Sequence, residues 1–221
     1  MYALFDWDNT VRSGVTLFSW MDFLSEKKII TGDQKNYVWE IKRQYMKKQI
    51  THDQYAEMAC ARYASIMEGV SENDVASILP DYVNNEKQFL FTNLKSLFDA
   101  IYRKGIEIIV ISGAPLRIIS QYAGVFHLNQ IFAFKEQIVD GVYSGKVEYN
   151  YGFEKYKVVQ KLVNEYQALP FLAFGDSYSD LPMLNSAVHS YCIGDGLKEF
   201  NNILIDENRI PDSFINEIES L

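Results

Sequence analysis

Short apolar runs, each closed by polar residues and set apart by helical patterns, constrain this chain more than any other feature. The first is Ala3-Leu4-Phe5, which ends at Asp6, Trp7 and Asp8 with Thr10 just behind. A brief apolar run stopped by turn-forming residues predicts a buried strand and its exit loop. Further runs fall at 106–113 (IEIIVISG), 131–134 (IFAF), 171–177 (FLAFGDS) and 190–194 (SYCIG). Among them lie helical patterns: 86–105, closed by Gly105; 115–126, with Pro115 in its first turn; about Lys155 to Tyr166; and roughly 212–220. Residues 136–148 alternate around Asp140-Gly141, a hairpin signal. Strands alternating with helices predict the α/β class and a doubly wound parallel sheet.

After Thr10 the pattern turns helical and stays so to about residue 80. "TGDQ" (Thr31 to Gln34) and "THDQ" (Thr51 to Gln54) fit the capping box, and "SEND" (Ser71 to Asp74) approximates it. Apolar residues recur between these starts at helical spacing: Tyr37, Ile41, Tyr45, then Tyr55, Met58, Ala59, Tyr63, Ile66. The expectation is a helical insertion at 13–81 in a core made of 1–12 and 82–221.

The length, 221 residues, allows one large domain or one with a smaller insertion. The net charge of −8 argues against nucleic acid or an anionic membrane as partner. A small anionic substrate stays compatible if a metal and a lysine reverse the local field. Cys60 and Cys192 form no disulfide framework or metal cluster and read as reduced thiols. The sequence enters a strand at once, so no signal peptide is expected. The run Ile106 to Ile111 is interrupted by Glu107 and too short to span a bilayer. A soluble cytoplasmic protein, monomer or homodimer, is expected.

Asp6 and Asp8, two apart on a strand, point the same way. Carboxylates forced together repel unless a cation or a shared proton lies between them, so either a metal binds here or the pair is a solvated loop. In a parallel sheet, ligands gather at the carboxyl ends of strands. Asp6 and Asp8, Ser112 and Asp176 are all expected on that rim. The set fits phosphoryl transfer. Asp6 is the candidate nucleophile, forming an aspartyl-phosphate. Asp8 is the candidate acid and base. Asp6, the backbone carbonyl of Asp8 and Asp176 offer hard oxygens to Mg2+. Thr10 and Ser112 offer hydroxyls to phosphate, and Gly113 a backbone N–H. Lys155 is the best placed cation among Lys155, Lys157 and Lys161, with Lys157 as substitute. Asp180 either starts the next helix, or orients the lysine, or holds metal-bound water. His52, His127 and His189 match no ligand spacing; Trp7 should turn into packing, and Asp195 is a turn residue.

FDWDNT, VISG, Lys155 and GDSYSDLPML together resemble the haloacid dehalogenase superfamily, in particular its phosphoserine-phosphatase-like branch. The resemblance covers essentially the whole chain. It implies a Rossmann-like core, a magnesium-dependent aspartyl-phosphate mechanism and an all-helical cap inserted after the first strand. It also implies that Asp180 supports the lysine and the metal waters, and Asp8 argues against dehalogenation. Two positions depart from phosphoserine phosphatases: Val15 stands where their acidic residue meets the substrate ammonium, and Ala59 where their cap arginine falls. Arg62, one turn on, is a possible stand-in. A larger or more apolar phosphomonoester than phosphoserine is therefore expected. The alternatives are a phosphotransferase or mutase using the same intermediate, and a non-catalytic phosphate- or metal-sensing module.

Overall fold

The computed structural model describes residues 1–203, 205 and 208–221. Among these residues seven strands form one sheet: β1 (Tyr2–Phe5), β2 (Glu107–Pro115), β3 (Leu128–Val139), β4 (Val142–Asn150), β5 (Leu172–Gly175), β6 (His189–Ile193) and β7 (Asn201–Ile203). Their order is β4-β3-β2-β1-β5-β6-β7. β1 pairs in parallel with both β2 and β5, and β5–β6 and β6–β7 are parallel too. The order reverses beside β1, which makes its carboxyl end a switch point of a Rossmann-like sheet. Every residue of β1 and β5 is buried, as a central parallel strand demands. Phe5 stacks on Phe98 and Phe174, with ring centroids 4.7 and 4.2 Å away.

The helices are α1 (Thr16–Glu26), α2 (Gly32–Met46), α3 (His52–Ile66), α4 (Glu72–Glu86), α5 (Leu94–Arg103), α6 (Leu116–Ile119), α7 (Lys155–Tyr166), α8 (Leu181–Leu184) and α9 (Asp212–Ser220). The chain divides into two compact units. One comprises Met1–Gly14, Gln88–Ala133 and Tyr151–Leu221; the other comprises Val15–Lys87 and Phe134–Asn150. The segment inserted after β1 is all helical, α1 to α4. The second unit also takes in Phe134–Asn150, the hairpin end of β3 together with β4, which the sequence expectation had left outside 13–81.

Backbone bonds account for that membership. Gly69 N–H donates to the Tyr143 carbonyl, Tyr143 N–H to Val70 and Glu72 N–H to Gly141. The hairpin is thus stitched to the α3–α4 connection. Its turn carries Asp140 and Gly141 at φ 51° and 75°, the positive pair that a two-residue hairpin loop requires. Inside this unit Trp20 Nε1 donates to the Tyr63 hydroxyl (3.0 Å), which donates to Glu136 Oε1 (2.6 Å). Burial and the Glu136 carboxylate push the Tyr63 hydroxyl well above its ordinary pKa.

The capping boxes at Thr31 and Thr51 form with both reciprocal bonds. Ser71 stands before α4 without a side-chain cap bond. Instead it bridges to Val142 in the hairpin. α4 runs past Pro80 to Glu86 because Val75, Leu79, Tyr82 and Glu86 continue one buried face.

Three expected elements differ. The helix expected over 86–105 begins only at Leu94. Before it, Phe91 N–H donates to Val11 and Thr92 N–H to Asn208, so this backbone is spent on non-helical partners. Pro115 ends β2 rather than opening the first turn of a long helix. The helix expected over 115–126 is four residues of α6 followed by a 3-10 turn at Ser120–Tyr122. Ile118, Ile119, Tyr122 and Phe126 are nonetheless buried. The apolar period records burial and does not fix the hydrogen-bond type. The strand expected at 131–134 extends over Leu128–Val139.

Candidate active site

The site is assembled from strand ends of the first unit. Phe5 pairs with Val110 and with Phe174. Asp6 therefore leaves the sheet beside the segments that carry Ser112 and Asp176. Asp6 N–H donates to the Phe174 carbonyl at 3.0 Å. The chain then turns sharply: Thr10 and Val11 N–H both donate to the Trp7 carbonyl, and Asn9 takes φ 58°. Asparagine tolerates that left-handed conformation better than most residues. Trp7 is fully buried against Tyr122 and Phe126, on the packing side as expected.

Lys155 opens α7, anchored by Val158, Val159 and Leu162 on the buried face of that helix. Its Nζ donates to Asp6 Oδ1 at 2.7 Å and to Asp180 Oδ1 at 2.5 Å. Lys155 is 4% exposed and Asp180 is fully buried. Lys157, the substitute, lies outward and pairs with Glu154 at 2.6 Å. Lys161 Nζ sits 5.1 Å from the centroid of the Phe132 ring.

Asp180 both precedes α8 and holds the lysine. Its Oδ2 accepts the N–H groups of Asp176 and Ser177, each at 3.0 Å, and the Ser177 hydroxyl at 3.1 Å. Three donors thus converge on Oδ2, while Oδ1 takes the lysine. Gly175 makes room for it, since a Cβ there would lie 2.4 Å from Asp180 Cβ. Gly175 and Ser177 are contributors that sequence reasoning missed. The Ser-x-x-Asp spacing of 177–180, a capping-box pattern, was the available signal for Ser177.

Carboxylate oxygens of Asp6, Asp176 and Asp180 lie within 4.8 Å of one another. Burial, together with repulsion from Asp180 and against the pull of Lys155, pushes Asp6 up to about 7. Burial and the neighbouring Asp6 and Asp180 push Asp176 up to about 8. Burial lowers the Lys155 ammonium, but Asp180 and Asp6 outweigh it and hold its pKa above the ordinary value. Three carboxylates thus face one ammonium. Such a surplus of hard oxygen donors fits a divalent cation of the magnesium type.

Asp8 and Thr10 follow β1, and Ser112 and Gly113 lie within β2. Asp8 is half-buried and its carboxylate is outside the three-acid group. Ser112 is buried near the end of β2, and its Oγ accepts the Ala114 N–H at 3.2 Å. Gly113 belongs to the same strand, which continues to Pro115. The Thr10 hydroxyl is buried with no hydrogen-bond partner among the described residues. His127 bonds Asp99 and stacks on Tyr102. His52 lies near Tyr45 and Tyr55, and His189 against Phe171. In the second unit Ala59 is buried, and Arg62 is exposed with its guanidinium 5.8 Å from the centroid of the Tyr37 ring.

Asp6 and Asp176 follow strand ends of a switch-point sheet, and Lys155 from α7 and Asp180 from the turn before α8 meet them there. The model of the haloacid dehalogenase-like hydrolase family matches residues 3–185, and the chain belongs to that family. A protein of unknown function from Bordetella pertussis Tohama I shares its fold with TM-score 0.76 at 18% identity, over 93% of this chain and 98% of that one. A HAD family hydrolase from Salmonella enterica subsp. enterica serovar Typhi matches with TM-score 0.67 at 18% identity, over 86% of this chain and 61% of that one. A phospho-aspartyl intermediate analogue of phosphoserine phosphatase matches with TM-score 0.62 at 16% identity, over 86% and 85%. No curated protein matches the chain in sequence. Among the described residues no helix is long and apolar enough to cross a membrane.

Proposed function

We propose that this hydrolase is a magnesium-dependent phosphatase that cleaves a small phosphomonoester through an aspartyl-phosphate. The observation that carries the reading is the buried Lys155 bridging Asp6 and Asp180 while Asp176 completes the acidic cluster. A carboxylate meant to attack phosphorus must be held, ionised and close to compensating charge.

In this reading an Asp6 oxygen attacks phosphorus and the ester P–O bond breaks. Asp8 gives its proton to the departing alcohol oxygen. Asp8, now a carboxylate, takes a proton from water as the water oxygen attacks phosphorus. The acyl phosphate then breaks, inorganic phosphate leaves, and Asp6 and protonated Asp8 are restored. Lys155 orients Asp6 and offsets the phosphoryl charge, while Thr10, Ser112 and Gly113 N–H supply hydrogen bonds to its oxygens. Asp6, Asp176 and the Asp8 backbone carbonyl would hold magnesium, which supplies positive charge against the phosphoryl oxygens. Asp180 fixes Lys155 and the Asp176 backbone. The helical insertion plays the part of the family's cap. Val15 and Ala59, at positions where phosphoserine phosphatases carry charged contacts, favour a substrate other than phosphoserine. The reading takes the protein as cytoplasmic, monomeric or homodimeric, acting on a small molecule.

Phosphate release from a panel of esters, with and without Mg2+, tests this. The panel holds phosphoserine, sugar phosphates, nucleotides and an aryl phosphate. Turnover should require Mg2+ and fall at least ~10³-fold in Asp6→Asn, as expected for loss of a nucleophile. Equal rates for wild type and Asp6→Asn would refute the assignment. Transfer of phosphate to a hydroxylated acceptor in place of release would make the protein a phosphotransferase.

A further inference from the structure

Gly196 lies in the loop after β6, between Ile193 and Leu197. A Cβ on Gly196 would stand 2.4 Å from the carbonyl oxygen of Asp176. Favourable contacts begin about an ångström further out. Gly196 is not among the residues with left-handed φ, so space and not backbone freedom calls for glycine here. The same carbonyl lies 3.9 Å from Cys192 Sγ. Cys192 and Leu197 are both fully buried in the cluster that includes Leu4 and Ala173. The loop is therefore seated on the core and pressed against the Asp176 peptide.

On its other side, Asp176 is held through its own N–H by Asp180 Oδ2. A cavity of about 260 Å³ borders Asp176, Asn9 and Asp195. The half-buried Asp176 is thus braced by Asp180 at its amide and by the loop at its carbonyl, with open space beside it.

We propose that Gly196 is a positioning residue for Asp176 and, through it, for the divalent cation of the proposed function, on which this inference rests. A methyl at 196 must displace either the loop or the Asp176 peptide, and with it the carboxylate that meets Asp6.

Calorimetric titration with Mg2+, without substrate, tests the proposal on wild type, Gly196→Ala, Asp176→Asn and Gly124→Ala. Gly124 is the control, since nothing lies within 4 Å of where its Cβ would stand. Gly196→Ala should weaken Mg2+ binding about 10- to 100-fold, the loss usual for a residue supporting a metal ligand. Its kcat should fall even at saturating Mg2+ with KM for the ester little changed, and Gly124→Ala should behave as wild type. Thermal unfolding in chelator shows whether Gly196→Ala folds. If it does not, Cys192→Ala decides, because it removes the sulfur beside the carbonyl and adds no atom; a smaller weakening in the same direction is expected. Wild-type Mg2+ affinity in folded Gly196→Ala, or in Cys192→Ala when the former is unfolded, overturns the proposal. A wild type that binds no Mg2+, or binds it as well after Asp176→Asn, overturns the magnesium reading of the site and this inference with it.

Discussion

Side chains in the site differ in how far their use depends on neighbours, and Asp180 depends most. It reaches Lys155 and two backbone N–H groups only because residue 175 has no side chain. Gly175→Ala should cost about 1–3 kcal/mol, the usual range for overpacking, and should depress phosphatase activity by moving Asp180. Denaturant unfolding alongside phosphate release checks both, and an unchanged pair of values would mean that the contact relaxes freely. The same dependence explains what the sequence made legible. Lys155 could be chosen over Lys157 from helical phase, since Val158 and Val159 stand three and four residues on and mark the buried face. The acids at 6 and 176 stood at the ends of apolar runs. Asp180 carried two readings, because its partners come from a close approach of backbone that no spacing encodes. Gly175 went unread for the same reason.

Among the elements, capping residues are the clearest case of local chemistry fixing a boundary. Thr31 and Thr51 each accept the N3 amide while Gln34 and Gln54 reach back to the cap. Thr31→Ala and Thr51→Ala should each destabilise the protein by about 1 kcal/mol, read as a shift in the urea midpoint with unchanged slope. A shift within error for both would mean that tertiary packing alone holds those starts. β1, β2, β5, β6, α7 and α9 were legible because their apolar patterns are short and cleanly ended. The stretch 87–93 was not. Its apolar residues suit a helix, yet only Lys87–Phe89 take a helical turn, of the 3-10 type, and the amides of Phe91 and Thr92 go to Val11 and Asn208, partners remote in sequence. β7 was also missed, being three half-exposed or exposed residues with a weak apolar signal.

For the molecule as a whole, the acidic cluster links stability, pH and metal. Asp6 and Asp176 bind protons more tightly in the folded state, near 7 and 8, than in the unfolded chain, near 4. The folded state is therefore favoured at low pH, and that contribution is lost as pH rises from about 4 through 8. Metal-free protein should melt at progressively lower temperature across this window. Mg2+ competes with the same protons, so it should raise the melting temperature more at pH 8 than at pH 5. A Mg2+ effect independent of pH would argue against binding at these carboxylates. A different consequence follows from the make-up of the second unit, whose two segments, 15–87 and 134–150, are far apart along the chain. Excision of the helices alone would strip Tyr143 and the rest of the hairpin of the backbone partners at Gly69, Val70 and Glu72. It would leave an unpaired strand edge open to self-association. An engineer grafting this module onto another scaffold must make four cuts, and evolution can trade it only as a pair of coordinated insertions.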